Sequence, residues 1–324
     1  MIVLFGPTAT GKTKVAIELA KRINGEIISA DSMQVYRGMD IGTAKPTLEE
    51  RQGIPHHLID IRDPDETWTV SDFVSEVKKL KSEIVKKGKV PIIVGGTGLY
   101  LWALLLGFSF PITPADKELR RRLEGVPADQ LYARLSAVDP KAAEKIHPHD
   151  KKRIMRALEV YELTGRPITE LQKKNVAAAF SAKGGSASGG RPPLNGDLKV
   201  AATFSNPKYL LIGLNLPRAQ LYERINQRVD SMIEKGLIEE VRSLLAKGYS
   251  KELPSFQALG YKEVVDYLFG KWTREQMVEE LKKRTRNFAR RQMTWFRRFS
   301  PVYWVEANLS PNELVDKILS FLYN

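Results

Sequence analysis

The chain of 324 residues contains no cysteine and only four histidines. Without thiols it can form no disulfide, no thiolate nucleophile and no cysteine-ligated zinc site, and four histidines leave little for an all-histidine metal centre. Any metal is therefore expected to be held by oxygen. Also missing is any run of about 18 apolar residues, so no membrane-spanning helix is expected. The chain enters an apolar stretch directly after Met1, without the basic region and small-residue cleavage site of a secretory signal, which predicts a cytoplasmic address. Acidic side chains are the scarcer charge, 38 Asp and Glu against 51 Lys and Arg, giving a formal net charge of +13. That excess favours a polyanionic partner, but the location of the charge has to decide which.

What is present has the make-up of a globular protein, 43% hydrophobic and 27% charged, long enough to bury a substantial core. Ile2 to Phe5 form a short apolar run, followed by a Gly-rich turn and a helical period through Val15, Ile17, Leu19, Ala20 and Ile23. Asn24-Gly25 stops that helix, and Glu26 to Ala30 reads as a second strand with Asp31 at its carboxyl end. Two more strand signals are Val90 to Val94, running into Gly95-Gly96-Thr97-Gly98, and Tyr209 to Leu214. Strands alternating with helices predict an α/β fold, a doubly wound parallel sheet of the P-loop NTPase type. From residue 111 to 207 charged helices replace this pattern, predicting a helical insertion domain between core segments 1–110 and 208–324. Within it, residues 177–206 are rich in Ala, Gly, Ser and Pro and are expected to be mobile. Thr273 and Gln276 form a capping-box signal that opens the last long helix.

The segment Gly6, Pro7, Thr8, Ala9, Thr10, Gly11, Lys12, Thr13 satisfies G-x-x-x-x-G-K-[ST], in the strand–turn–helix setting that its mechanism requires. Backbone amides and the helix N-terminus would face phosphates, Lys12 would add a point charge, and the Thr13 hydroxyl could ligate Mg²⁺. In a doubly wound sheet ligands lie beyond the carboxyl ends of the strands, which is where the P-loop, Asp31 and the Gly95 to Gly98 turn all fall. A nucleotide hydrolase also wants an acid at the end of another apolar strand, but Ile92-Ile93-Val94 ends in glycine. Asp31 suits a base acting on an acceptor, its plain alternative being a turn former.

The segment DSMQVYRGMDIGTAKP, Asp31 to Pro46, resembles the signature of the tRNA dimethylallyltransferases, also called isopentenyl-tRNA transferases. The likeness continues through PHHLID (Pro55 to Asp60), GGTGLY (Gly95 to Tyr100), RALE (Arg156 to Glu159), RINQRVD (Arg224 to Asp230), QALGYKE (Gln257 to Glu263) and RNFARRQMTWFRR (Arg286 to Arg298). It implies transfer of a dimethylallyl group from dimethylallyl diphosphate to N6 of adenine 37 in tRNAs that read codons beginning with U. On this reading the P-loop, Mg²⁺ near Thr13, Arg224 and Arg228 hold the diphosphate, Asp31 is the base, and Thr97 positions the amine or the base. Adjacent histidines in an extended segment point opposite ways, so His56 and His57 are expected to be structural rather than a metal pair.

The target base lies inside an RNA loop and has to be extruded, so contacts to an anticodon stem-loop are needed. Between Leu281 and Val305 stand eight Lys and Arg and no acid, interleaved with Phe288, Trp295, Phe296 and Phe299. The resemblance implies tRNA contacts from Asp31, Ser32, Met33 and Gln34, from Lys152, Arg153 and Arg156 on the insertion, from Gln257, Gly260, Tyr261 and Lys262, and from Arg286, Arg290 and Arg291. A monomer is expected. The competing readings are an ATP-dependent small-molecule or nucleoside kinase, an adenylate isopentenyltransferase and a catalytically silent RNA-binding module.

Overall fold

The structure, a computed structural model, describes residues 1–107, 116–171 and 209–323. The segment 177–206, expected to be mobile, lies outside the described residues. The chain divides into two compact units, Met1–Trp102 with Lys199–Asn324, and Ala103–Leu198.

In the first unit six strands form one parallel sheet in the order β3-β2-β4-β1-β5-β6, with β1 Ile2–Phe5, β2 Gly25–Ser29, β3 His56–His57, β4 Val90–Gly95, β5 Leu210–Asn215 and β6 Tyr303–Glu306. β1 and β2 are buried along their whole length, as apolar runs in a sheet covered on both faces must be. The strand expected from Tyr209 begins at Leu210 and runs to Asn215. Two edge strands, β3 and β6, are additions to the expected set; at two and four residues they are too short for a periodic signal.

Register decides what meets at the carboxyl edge. Phe5 lies level with Gly95 of β4 and Gly213 of β5, so the P-loop leaves the sheet directly beside the glycine turn. The Ala30 amide donates to the Val94 carbonyl at 2.7 Å, which carries the pairing of β2 and β4 up to Asp31. The helix Lys12–Arg22 packs Val15, Ala16, Leu19 and Ala20 against the sheet core, and Lys21 and Arg22 complement the negative end of its dipole. The long helix Arg274–Phe296 opens with the Thr273–Gln276 capping box and delivers Phe296, with Phe299 beyond it, onto the Phe5 ring at centroid distances of 5.0 and 5.3 Å. Two of the four aromatics interleaved in the basic stretch are spent on this packing, while Phe288 lines a cavity beside the P-loop.

The second unit contains the helices Lys117–Glu124, Ala128–Val138, Pro140–Ala143 and Lys151–Thr164 around a core that includes Leu131, Leu135, Ile154 and Leu158. Its charged centre is Glu159, which is 0% exposed. The carboxylate accepts from Arg120 Nε and Nη2 at 2.8 and 2.9 Å, from the Asp116 amide at 3.0 Å and from Arg156 Nη1 at 2.6 Å. Burial works to raise its pKa, and the hydrogen bonds from Arg120 and Arg156 outweigh it, leaving the group below its ordinary value. A depressed carboxylate stabilises the folded state above its unfolded pKa and loses that contribution as pH falls. Replacing Glu159 by Gln should therefore destabilise the protein at neutral pH by about 2 kcal/mol, less than a fully buried pair because both arginines are part-exposed, with the deficit vanishing in acid. Chemical denaturation of both proteins at neutral and acid pH measures this.

Candidate active site

The P-loop is held by its own side chains. The Pro7 carbonyl accepts from the Thr10 hydroxyl at 2.9 Å and from Lys12 Nζ at 2.8 Å. Ala9 and Gly11 both adopt left-handed backbone, φ +65° and +79°, and the helix starts at Gly11 without a side-chain cap. Among the described residues nothing accepts from the amides of Ala9 to Thr13, so they converge as a set of donors at the positive end of a helix dipole. The Thr8 amide is different, because it donates to Gln292 Oε1 at 2.9 Å.

A cavity of about 640 Å³ opens beside this loop, lined among others by Lys12, Thr13, Asp31, Gln34, Arg228 and Phe288. Burial, then the nearby Arg228 charge, push the Lys12 ammonium down to about 7 against the pull of Asp31. Burial also lowers the Arg228 guanidinium, with Asp31 again opposing. Two half-buried cations lining one cavity, with one carboxylate opposing them in charge, favour an anion of more than one negative charge. Arg224, one turn earlier on the same helix Arg218–Glu234, is not among the lining residues.

The two carboxylate oxygens of Asp31 differ in their surroundings. Its Oδ1 accepts from the Met33 and Gln34 amides at 2.8 and 3.3 Å, which is turn-forming work. Its Oδ2 has no hydrogen-bond partner among the described residues, and the residue borders the cavity. The Thr97 hydroxyl accepts from the Ser32 amide at 3.1 Å, so it joins the glycine turn to the Asp31 turn and lies outside the cavity lining. His57 Nε2 meets Glu26 at 2.7 Å and His56 Nδ1 meets the Ile54 carbonyl at 2.8 Å. Among the described residues no three or more His, Cys, Asp or Glu cluster as a metal site.

A family model described as IPP transferase matches residues 34–299. The chain belongs to the IPP transferase family. It is 45% identical over 306 residues to a tRNA dimethylallyltransferase of Anoxybacillus flavithermus, covering 94% of this chain and 90% of the relative. It is 46% identical to another from Thermoanaerobacter sp. strain X514, covering 99% and 97%. Among solved structures it is similar to the tRNA isopentenylpyrophosphate transferase of Bacillus halodurans, with a TM-score of 0.69, 41% identity and coverage of 99% and 95%. A eukaryotic dimethylallyltransferase acting on tRNA aligns with a TM-score of 0.78 at 30% identity, covering 100% of this chain and 79% of the other. These relatives favour an IPP transferase over a kinase.

The residues expected to meet tRNA divide into two kinds. Lys152, Arg153, Gln257, Lys262, Arg290 and Arg291 are exposed. Arg286 is half-buried and donates to Asn226 Oδ1 at 2.7 Å, and Arg156 is held on Glu159. Gly260 is buried, and the Tyr261 side chain is 0% exposed and donates its hydroxyl to Glu240 Oε1 at 2.6 Å, so it supports the frame.

Sequence reasoning passed over Gln292. It lies on the buried stripe Met277, Leu281, Thr285, Ala289, Gln292, Phe296 of the long helix, and an amide at a core-facing position was the available signal. Its Oε1 takes the Thr8 amide while its Nε2 donates to the Gly96 carbonyl at 2.9 Å, tying helix, P-loop and glycine turn together. A Cβ at position 96 would stand 2.3 Å from that Nε2, so only glycine allows the approach. Substituting Leu for Gln292 leaves the part-buried Thr8 amide and the buried Gly96 carbonyl unpaired. The expected result is a loss of about 2–3 kcal/mol of stability together with weaker binding of inorganic pyrophosphate, read by thermal melts and calorimetric titration.

Proposed function

We propose that this IPP transferase moves a dimethylallyl group from dimethylallyl diphosphate to N6 of adenine 37 in tRNAs that read codons beginning with U. The observation that carries the reading is the pairing, in one cavity, of an anion grip formed by Lys12, Arg228 and the free P-loop amides with the unengaged Oδ2 of Asp31. The reaction needs both. The C1–O bond of the prenyl diphosphate breaks, the N6–C1 bond forms, the diphosphate leaves into the cradle, and the amine proton passes to Asp31 Oδ2. The exocyclic amine is a poor nucleophile because its lone pair is delocalised into the ring, so a base aligned with it lowers the barrier. Lys12 and Arg228 stabilise charge that grows on the leaving oxygens.

Mg²⁺ suits this donor set, since it keeps several waters and is commonly bound through one or two protein oxygens plus substrate phosphates, and Thr13, which carries a hydroxyl, lines the cavity. Bound there, it would neutralise further charge on the diphosphate. Arg290 and Arg291 on the long helix, and Lys152 and Arg153 on the helical unit, are exposed and supply contacts to the phosphates of the anticodon stem-loop. No helix among the described residues is long and apolar enough to cross a membrane. The enzyme acts as a monomer in the cytoplasm, where its tRNA is found.

The direct test incubates an anticodon stem-loop RNA with the protein, dimethylallyl diphosphate and Mg²⁺ and weighs the adenosine by mass spectrometry. A dimethylallyl mass shift at adenine 37 with release of diphosphate is expected; consumption of ATP to ADP would instead support a kinase. Asp31→Asn keeps the Oδ1 acceptor that forms the turn and removes the basic Oδ2. It should lower turnover about a hundredfold or more while RNA affinity stays near that of the parent, as measured by single-turnover kinetics and filter binding. Replacing Arg290 and Arg291 together by Ala should weaken RNA binding and reduce the slope of log affinity against log salt by about one or more.

A further inference from the structure

The signature loop is gripped from outside by a carboxylate that the chemistry described above leaves unused. Glu240 lies on the helix Leu237–Ala246, and its Oε2 accepts from the amides of Asp40 and Ile41 at 2.9 and 2.8 Å while Oε1 accepts from the Gly42 amide at 3.3 Å. Three successive amides on one carboxylate form the kind of concave donor set that backbone loops offer to anions. The buried Tyr261 hydroxyl completes the arrangement by donating to the same Oε1. Gly42 is required at this contact, because a Cβ there would come 2.4 Å from the Tyr261 ring. From within, the Lys45 ammonium closes the loop on the Tyr36 carbonyl at 2.8 Å and on Asp40 and Asp60 at 2.5 Å each.

The held loop reaches the cavity through Gln34. Its Nε2 donates to the carbonyls of Thr43 and Ala44 at 3.3 and 3.4 Å, and its Oε1 accepts from the Ser29 hydroxyl at 2.9 Å. Gln34, Thr43 and Ala44 all line the cavity, and the Gln34 amide is one of the two that orient Asp31. Phosphate-loop atoms take no part in this chain of contacts.

We infer that Glu240 is a positioning residue for the acceptor side of the site: by holding the amides of Asp40 to Gly42 it fixes the Thr43–Ala44 carbonyls, and through them Gln34 and the Asp31 turn, where the acceptor amine must be aligned. The inference rests on the proposed transfer reaction and predicts an uneven effect. The carboxylate of Glu240 can satisfy all three amides at once, whereas the amide of a glutamine presents an N–H₂ group to at least one of them. In E240Q, hydrogen exchange at residues 40–42 should accelerate about tenfold or more, and kcat for transfer to the stem-loop RNA should fall by a similar factor, with exchange in β4 and the dissociation constant of inorganic pyrophosphate within about twofold of the parent. Gly42→Ala, which pushes the loop off Tyr261 from the other side, should give the same split.

Each outcome bears on the inference. Unchanged exchange at 40–42 in E240Q would show that Glu240 does not hold the loop. A loosened loop with kcat within about twofold of the parent would show that the hold does not position the acceptor. Loss of pyrophosphate affinity in step with kcat would make Glu240 a general support of the fold. If the parent protein itself transfers no prenyl group to RNA, the proposed reaction fails, while the exchange result still decides whether the clamp exists.

Discussion

The side-chain amide of Gln292 stands where three otherwise separate segments meet, and the arrangement of the site depends on it. Its oxygen occupies the Thr8 amide and its nitrogen the Gly96 carbonyl. Neither of those backbone groups pairs within the sheet, because Gly96 follows the last residue of β4 and Thr8 lies in the loop three residues beyond β1. A buried group left unpaired costs more than a made hydrogen bond returns, so the glutamine restricts the P-loop to the conformation in which both bonds form. That conformation leaves the amides of Ala9 to Thr13 without acceptors among the described residues, and Ala9, Gly11, Lys12 and Thr13 line the cavity. The long basic helix is thereby fixed to the phosphate cradle by polar bonds of defined direction, and apolar packing of Phe296 and Phe299 on Phe5 fastens its far end.

A P-loop by itself does not specify what is attached to the phosphates it holds. Amides and ammonium groups see oxygen atoms, and a prenyl diphosphate offers them the same oxygens as a nucleotide. What narrows the chemistry is the neighbour at the carboxyl end of β2. A carboxylate with one oxygen engaged by the Met33 and Gln34 amides is fixed in place, and its other oxygen is left without a partner among the described residues. Placed beside two cations, it can accept a proton from a nucleophile while the cations take up charge on the leaving group. A kinase could use the same pair, so it is the likeness to dimethylallyltransferases that favours carbon over phosphorus as the electrophile in the proposed reaction.

Much of the frame was legible from the residues. The strands β1, β2 and β4, the P-loop, the helix after it and the Thr273 cap all carry local signals that their own neighbours satisfy. The edge strands β3 and β6 carry none, since two and four residues cannot display a period. Within the site, the motif blocks were recognisable, but a motif does not separate side chains that touch a ligand from those that hold its surroundings. Tyr261 is buried on Glu240 and the part-exposed Arg156 is bonded to Glu159, partnerships that only the three-dimensional structure displays. Gln292 and Glu240 were missed for a related reason. Each is a polar residue whose backbone partners lie between 196 and 284 positions away in the chain, a separation over which local pattern carries no information.

The charge of the long helix shows why a net figure of +13 overstates the surface that a polyanion would meet. In its middle, Lys282 pairs with Asp230, Lys283 with Glu280, and Arg284 with the buried Glu263, although no acid lies between Leu281 and Val305 in the sequence. Toward its end, Arg290, Arg291, Arg297 and Arg298 are exposed and have no ion pair among the described residues, and Arg291 and Arg298 lie over the rings of Phe288 and Trp295. Only charges of the second sort can neutralise phosphates and release counterions without first breaking a bond inside the protein. Gln292 follows directly on two of them, so the stretch of helix best suited to an RNA backbone is also the stretch bonded to the P-loop. Placing both on one rigid element sets the distance between a bound polyanion and the diphosphate cradle by the rise of a helix, 1.5 Å per residue, rather than by the reach of a flexible loop.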